Sequence, residues 1–134
     1  MSWWRRLFTR APEKAPLRGT PAVRRQKNYS AASGYAYEYL FEGFRDEGGC
    51  RCYVFTVSAD RKAWFEITVL VEDRAIESWA AHHGRPLADN ERYAVAKMAL
   101  FEAFDERPDP GSMQKPVRVG PEEAEQLLSR LGLD

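Results

Sequence analysis

The feature of this sequence that most constrains its fold is a strict alternation that begins at Tyr35. Every second residue of this stretch is aromatic: Tyr35, Tyr37, Tyr39 and Phe41. A period of two places these rings on one face of a β-strand, while Glu38 and Glu42 lie on the opposite face. Because an aromatic face has to be covered, the alternation predicts a sheet with one buried side.

Two further strands are predicted over residues 52–58 and 63–71, and the four residues between them have the length of a hairpin loop. Val117 and Val119 alternate like a short edge strand. The pattern therefore predicts an antiparallel meander of three to four strands. We expect Tyr37, Phe55 and Ile67 on its buried face. Three carboxylates should share its exposed face: Glu38, Glu42 and Glu66.

Three helices are predicted after the strands. The first follows Asp73 and stops before Gly84, the second spans about residues 89–105, and the third begins at Gly120-Pro121. Each has an apolar stripe that can cover the sheet. Val95 and Met98 fall on the acidic side of the second helix, where they are candidates for a second partner contact. The predicted fold class is α+β, a two-layer domain with two to three helices on one face of the sheet.

The net charge of zero hides two oppositely charged segments. Residues 1–28 hold eight cations and one acid, a net charge of +7, so the remaining residues carry −7. Prolines interrupt the basic segment, which has few large apolar residues after Phe8. We interpret residues 11–28 as a flexible basic linker and 29–134 as the single domain. A chain lacking residues 1–28 is accordingly expected to keep most of its stability.

The first ten residues have the composition of a helix that lies in a membrane interface. On a helical wheel, four apolar residues fall on one side: Trp3, Trp4, Leu7 and Phe8. The other side is basic: Arg5, Arg6 and Arg10. The linker adds further cations that could contact the same partner: Arg24, Arg25 and Lys27. So short a helix is marginal alone and should become ordered on binding.

Several partners could provide that binding. An anionic membrane surface is favoured, because apolar burial and charge attraction would act together. A groove on a larger protein assembly is the second candidate. Nucleic acid is the third, although no nucleic-acid motif occurs and the expected carboxylate face would repel phosphates. Alternatively, the arm folds back onto its own acidic domain, or it is an organellar transit peptide cleaved near Tyr29-Ser30.

No pattern in the sequence identifies a reaction. Cys50 and Cys52 with His82 and His83 could ligate zinc, but the C-x-C spacing is too short and adjacent helical histidines diverge by about 100°. Phosphate-binding, nucleophile-elbow and metalloprotease motifs are missing. We therefore predict no catalytic, metal or cofactor site. The expected function is a non-enzymatic interaction or accessory module, cytoplasmic and possibly peripheral at a membrane, with a small enzyme of unrecognised site as the alternative.

Overall fold

A computed structural model describes residues 15–133 of the chain. It contains five strands and three α-helices, with a short 3₁₀ turn at Ser112–Gln114. The strands are β1 (Lys27–Ser30), β2 (Ala36–Glu47), β3 (Cys50–Ser58), β4 (Phe65–Glu72) and β5 (Val117–Val119). The helices are α1 (Asp73–His83), α2 (Asp89–Glu106) and α3 (Pro121–Arg130).

All five strands form one sheet in the order β1-β2-β3-β4-β5. The first four are antiparallel neighbours, whereas β5 runs parallel to β4 with Val117 opposite Val69. A parallel partner needs a long crossover, and here α1 and α2 provide it. The α+β prediction is confirmed, with a mixed sheet and more strands than the sequence indicated.

The helices cover the aromatic face of the sheet. Tyr37, Phe55 and Ile67 are buried there, as the alternation predicted, and Trp79 of α1 and Phe104 of α2 belong to the same core. In α3, the buried stripe consists of Ala124, Leu127 and Leu128. Burial of this one face against helices fixes which side chains point inward along β2 to β4.

A β-bulge interrupts the register of β2. Phe41 lies opposite Phe55 and Gly43 opposite Val54, so Glu42 is the extra residue. The bulge shifts the alternation by one residue, which turns Phe44 to the same side as Tyr53. Gly43 has a φ of 130°, and a Cβ there would lie 2.8 Å from the Arg18 carbonyl oxygen. Only glycine suits this position.

From Ala15 onward, the basic segment lies against β2, which differs from the linker interpretation of residues 11–28. Arg18 and Phe44 exchange two backbone hydrogen bonds of 2.8 Å, and the Thr20 hydroxyl donates to the Glu42 carbonyl oxygen. Further along, β1 pairs with β2 from Lys27 to Ser30. The physical reason is that the edge of β2 offers unpaired backbone groups, and pairing satisfies them without a large apolar surface.

The carboxylate face is less exposed than the sequence predicted. Glu38 is only 6% exposed, because Arg61 forms an ion pair with it at 2.9 Å and Gln26 also contacts it. Glu42 is half-buried beside Arg24, and Glu66 alone is exposed as expected. The placement of all three glutamates on an exposed row was therefore wrong for Glu38.

The proposed second contact at Val95 and Met98 is also wrong. Val95 is fully buried and Met98 is half-buried against the core. Helix α2 contacts both the sheet and α3, and its buried residues include Val95 as well as the predicted stripe at Ala96, Leu100 and Phe104. A helical wheel divided into one buried and one solvated half cannot anticipate a second packing partner.

Candidate functional site

The cations of the basic segment alternate between the two sides of the sheet. Arg24 reaches the open face, where it forms an ion pair with Glu42, and Gln26 contacts Glu38 on the same side. Arg25 and Lys27 point the other way, toward the helical layer. This division follows from the extended backbone, in which neighbouring side chains point in opposite directions.

On the helical side, Arg25 and Lys27 border a groove of about 280 Å³. One wall is formed by residues 21–27 and the other by Tyr93 of α2, above a floor of β2 side chains. The lining residues are Pro21, Val23, Arg25, Lys27, Tyr39, Phe41 and Tyr93. Val23 is 65% exposed, the largest exposed fraction among the large apolar residues of the described chain. We call this surface the basic-aromatic groove.

The floor of the groove is aromatic. The rings of Phe41 and Tyr93 lie 4.7 Å apart between centroids, in a tilted arrangement. Burial raises the pKa of Tyr39, and burial with the nearby Tyr39 raises that of Tyr93. Both hydroxyl groups therefore remain neutral at physiological pH. The floor offers an apolar surface with hydrogen-bonding tips and no negative charge.

A third cation, Lys97 of α2, lies beside the groove. Its Nζ atom is 5.9 Å from the centre of the Tyr39 ring and 5.8 Å from that of Phe101. Burial lowers the pKa of Lys97, and the neighbouring Lys27 lowers it further. Within residues 15–133, no carboxylate forms an ion pair with Arg25, Lys27 or Lys97. The groove is therefore a locally positive surface around an apolar floor.

The groove tyrosines are unsuited to act as general bases, because their raised pKa values lie further from the working pH. Cations beside an apolar floor attract an anion that also has an apolar body. The groove can therefore bind an anion of this kind noncovalently.

Only part of the sequence-predicted contact set falls in the described chain. Arg25 and Lys27 border the groove, while Arg24 is already paired with Glu42 on the other side. The remaining predicted residues lie outside residues 15–133: Trp3, Trp4, Arg5, Arg6, Leu7, Phe8 and Arg10.

Sequence reasoning assigned no binding role to five residues that line the groove, or to Lys97 beside it; the five are Pro21, Val23, Tyr39, Phe41 and Tyr93. Phe41 was predicted on the covered aromatic face, and the structure shows both Phe41 and Tyr93 half-buried at the margin of the core. One feature of the sequence could have indicated this surface. Lys97 is a cation close to the apolar stripe of the second predicted helix, where a charged residue is unexpected unless it lies at the edge of the core.

The two histidines meet at one carboxylate of α3. His82 Nδ1 is 3.2 Å from Glu125 Oε1, and His83 Nε2 is 3.0 Å from Glu125 Oε2. His83 also stacks on Trp79, with ring centres 4.3 Å apart. In the part of the chain that is described, no group of three or more His, Cys, Asp or Glu residues could hold a metal ion. We interpret the histidines as a link between α1 and α3.

Among the described helices, none is both long and apolar enough to cross a membrane. No known protein family, curated protein or solved structure matches this chain. The groove and the charge distribution are the features of the molecule that point to a function.

Proposed function

We propose that this protein is a non-enzymatic interaction module that attaches peripherally to an anionic membrane surface on the cytoplasmic side. The observation that carries the proposal is the basic-aromatic groove, in which Arg25 and Lys27 lie beside the exposed Val23. Lys97 lies next to the floor at Tyr39, and no carboxylate among residues 15–133 forms an ion pair with any of these cations. Each basic residue near an anionic membrane contributes about 1 kcal/mol of attraction. An exposed apolar residue among cations adds burial in the interfacial layer.

The N-terminal segment supplies a second attachment. Stable membrane binding usually requires two signals, such as an apolar insertion and a polybasic patch. Residues 1–10 carry the apolar set of Trp3, Trp4, Leu7 and Phe8, and the chain then continues along β2 into the groove wall. Both basic regions therefore belong to one continuous stretch of sequence.

A larger protein assembly is the second candidate, because a concave aromatic surface also fits an acidic peptide. The two candidates differ in their requirement for lipid. A peptide partner would bind the protein in solution and would not depend on vesicles.

The proposal is tested by sedimentation of the full chain with lipid vesicles. We expect binding to vesicles that contain anionic phospholipid, weakening at high salt, and little binding to zwitterionic vesicles. Replacement of Arg25 and Lys27 by glutamine should reduce the affinity about thirtyfold, at about 1 kcal/mol per charge. The matched control replaces Lys62 and Lys115, which are exposed elsewhere, by glutamine.

A second variant tests the N-terminal segment. Replacement of Trp3 and Trp4 by alanine removes apolar anchors and should weaken binding at every salt concentration. Failure of the full chain to sediment with anionic vesicles at low salt would refute membrane attachment and leave the protein assembly as the partner to pursue.

A further inference from the structure

We infer that the basic-aromatic groove is a stoichiometric site for one anionic amphiphile, whose charged head lies among Arg25, Lys27 and Lys97 and whose apolar body lies on the aromatic floor. The inference rests on the proposed function, since an anionic membrane lipid is the source of the ligand. It goes beyond that function because it assigns one defined binding site with a chemical preference. The proposed function by itself requires only a general attraction of the protein to a charged surface.

The size of the groove sets the size of the ligand. Sites for drug-sized molecules usually enclose about 300–1,000 Å³, and this groove of about 280 Å³ lies just below that range. It can hold a short length of one alkyl chain, or one ring, together with a head at the rim.

The charges at the rim indicate the sign of the ligand. Burial and the neighbouring Lys27 both disfavour the charge of Lys97, whose Nζ atom lies 5.9 Å from the centre of the Tyr39 ring on the groove floor. A partly buried ammonium group beside a second cation and without a carboxylate is unfavourable unless an anion lies next to it. A phosphate or carboxylate head would relieve this repulsion and accept hydrogen bonds from both lysines.

Comparison with another surface of the protein shows why this groove is distinct. Two cavities of about 550 Å³ each lie at the end of the sheet, and both are bordered by Arg74 and Arg118. There, however, Glu72 pairs with both arginines, at 3.1 Å from Arg118. The protein supplies its own anion at that end, whereas the groove has none among the described residues.

The test is isothermal titration calorimetry of the full chain with hexyl phosphate, which is soluble and contains both a head and a short chain. We expect one molecule bound per protein. Hexanol and inorganic phosphate, which each contain only one half of the ligand, should bind at least about tenfold more weakly. Amide shifts in a nuclear magnetic resonance titration should concentrate at residues 21–27 and 39–41 and around Tyr93.

Variants locate the site. Replacement of Lys27 and Lys97 by glutamine should weaken hexyl phosphate binding at least about tenfold, and the Lys62 and Lys115 control should leave it unchanged. Lys27→Gln alone, at an exposed position, provides the same test if the double variant folds poorly. Equal binding of hexyl phosphate by all of these proteins would overturn the inference, as would shifts located elsewhere.

The inference and the proposed function can fail separately. Binding of hexyl phosphate without binding to anionic vesicles would support the groove site and refute membrane attachment. Binding to anionic vesicles that depends on Arg25 and Lys27, without any binding of hexyl phosphate, would support membrane attachment and refute the stoichiometric site.

Discussion

At the scale of single residues, Lys97 has an energetic cost in the folded protein that binding could offset. Burial and the adjacent Lys27 both disfavour its charged form, so its pKa lies below the ordinary value. Functional groups are often held in such unfavourable surroundings, because the ligand supplies the missing charge. Removal of the lysine should therefore affect stability and binding in opposite directions.

We predict that Lys97→Met slightly stabilises the protein while it weakens hexyl phosphate binding. Methionine has a similar helix propensity and keeps the apolar part of the side chain. Because Lys97 is only partly buried, the gain at pH 7 should be small, up to about 0.5 kcal/mol. Urea unfolding measures the stability, and calorimetry measures the binding.

The stability difference between Lys97→Met and the unmodified protein should change with pH in a defined direction. Since the pKa of Lys97 is lower in the folded state, its cost is fully present below that pKa and disappears as the pH rises toward the unfolded value of 10.5. The advantage of Lys97→Met should shrink between neutral pH and pH 10.5. An advantage that grew with pH would contradict this account, and Lys62→Met serves as the exposed control.

At the scale of elements, Gly43 is the residue on which the path of the N-terminal segment depends. We predict that Gly43→Ala destabilises the protein by about 2 kcal/mol or more, because the φ of 130° is strained for any side chain and the methyl group would meet Arg18 and Thr20. Urea unfolding and amide exchange at Arg18 and Phe44 provide the measurement.

Gly111→Ala is the matched control for this change. Gly111 has an ordinary φ of −62°, and a Cβ there would come no closer than 3.4 Å to Asp109. Its stability should remain within about 0.5 kcal/mol of the unmodified protein. A similar loss in both variants would mean that the close approach at Gly43 contributes little.

The helices were predictable from the sequence because their signals are local. Gly84 marks the end of α1 and Gly120-Pro121 the start of α3, as the structure confirms, whereas α1 begins at Asp73 itself, one residue earlier than predicted. Strand β1 was missed because its sequence KNYS has a single apolar residue and no alternation. It forms through tertiary contacts, since Tyr29 stacks on Phe101 at 4.3 Å and donates a hydrogen bond to Asp105.

The groove was only partly predictable for a related reason. Arg25 and Lys27 are visible in the sequence as members of a basic segment. Phe41 and Tyr93 belong to different elements, and their positions at the margin of the core depend on where residues 21–27 cross the sheet edge. The hydrophobic periodicity of a single strand or helix cannot indicate where that crossing lies. The site is therefore visible only in the folded structure.

At the scale of the whole molecule, the basic segment and the acidic domain are joined by specific contacts. Glu42 illustrates this best. Burial alone would raise its pKa, but hydrogen bonds from Arg24 and Thr56 outweigh burial and lower it. The opposite net charges of the two segments are thus partly matched through individual pairs along β2, and the segment from Ala15 onward is part of the folded unit.

Deletion of residues 1–28 should therefore be much more damaging than the sequence alone suggested. It removes the Arg18–Phe44 backbone pair, the Thr20 bond and the start of β1, and it leaves Glu42 without Arg24. At about 1 kcal/mol for each lost hydrogen bond, the loss should reach several kcal/mol and lower the Tm by roughly 10 °C or more. The uncovered edge of β2 should also promote association between chains.

Deletion of residues 1–14 is the matched truncation, since every contact named along β2 begins at or after Ala15. Because it keeps the Arg18–Phe44 pair, the Thr20 bond and β1, its Tm should stay well above that of the chain lacking residues 1–28, while vesicle binding weakens because Trp3, Trp4 and the first arginines are gone. Calorimetric melts and vesicle sedimentation of both truncations separate the two roles. If the chain lacking residues 1–28 melts with the full protein, residues 15–28 contribute recognition only, and the groove wall is a binding element that the fold does not need.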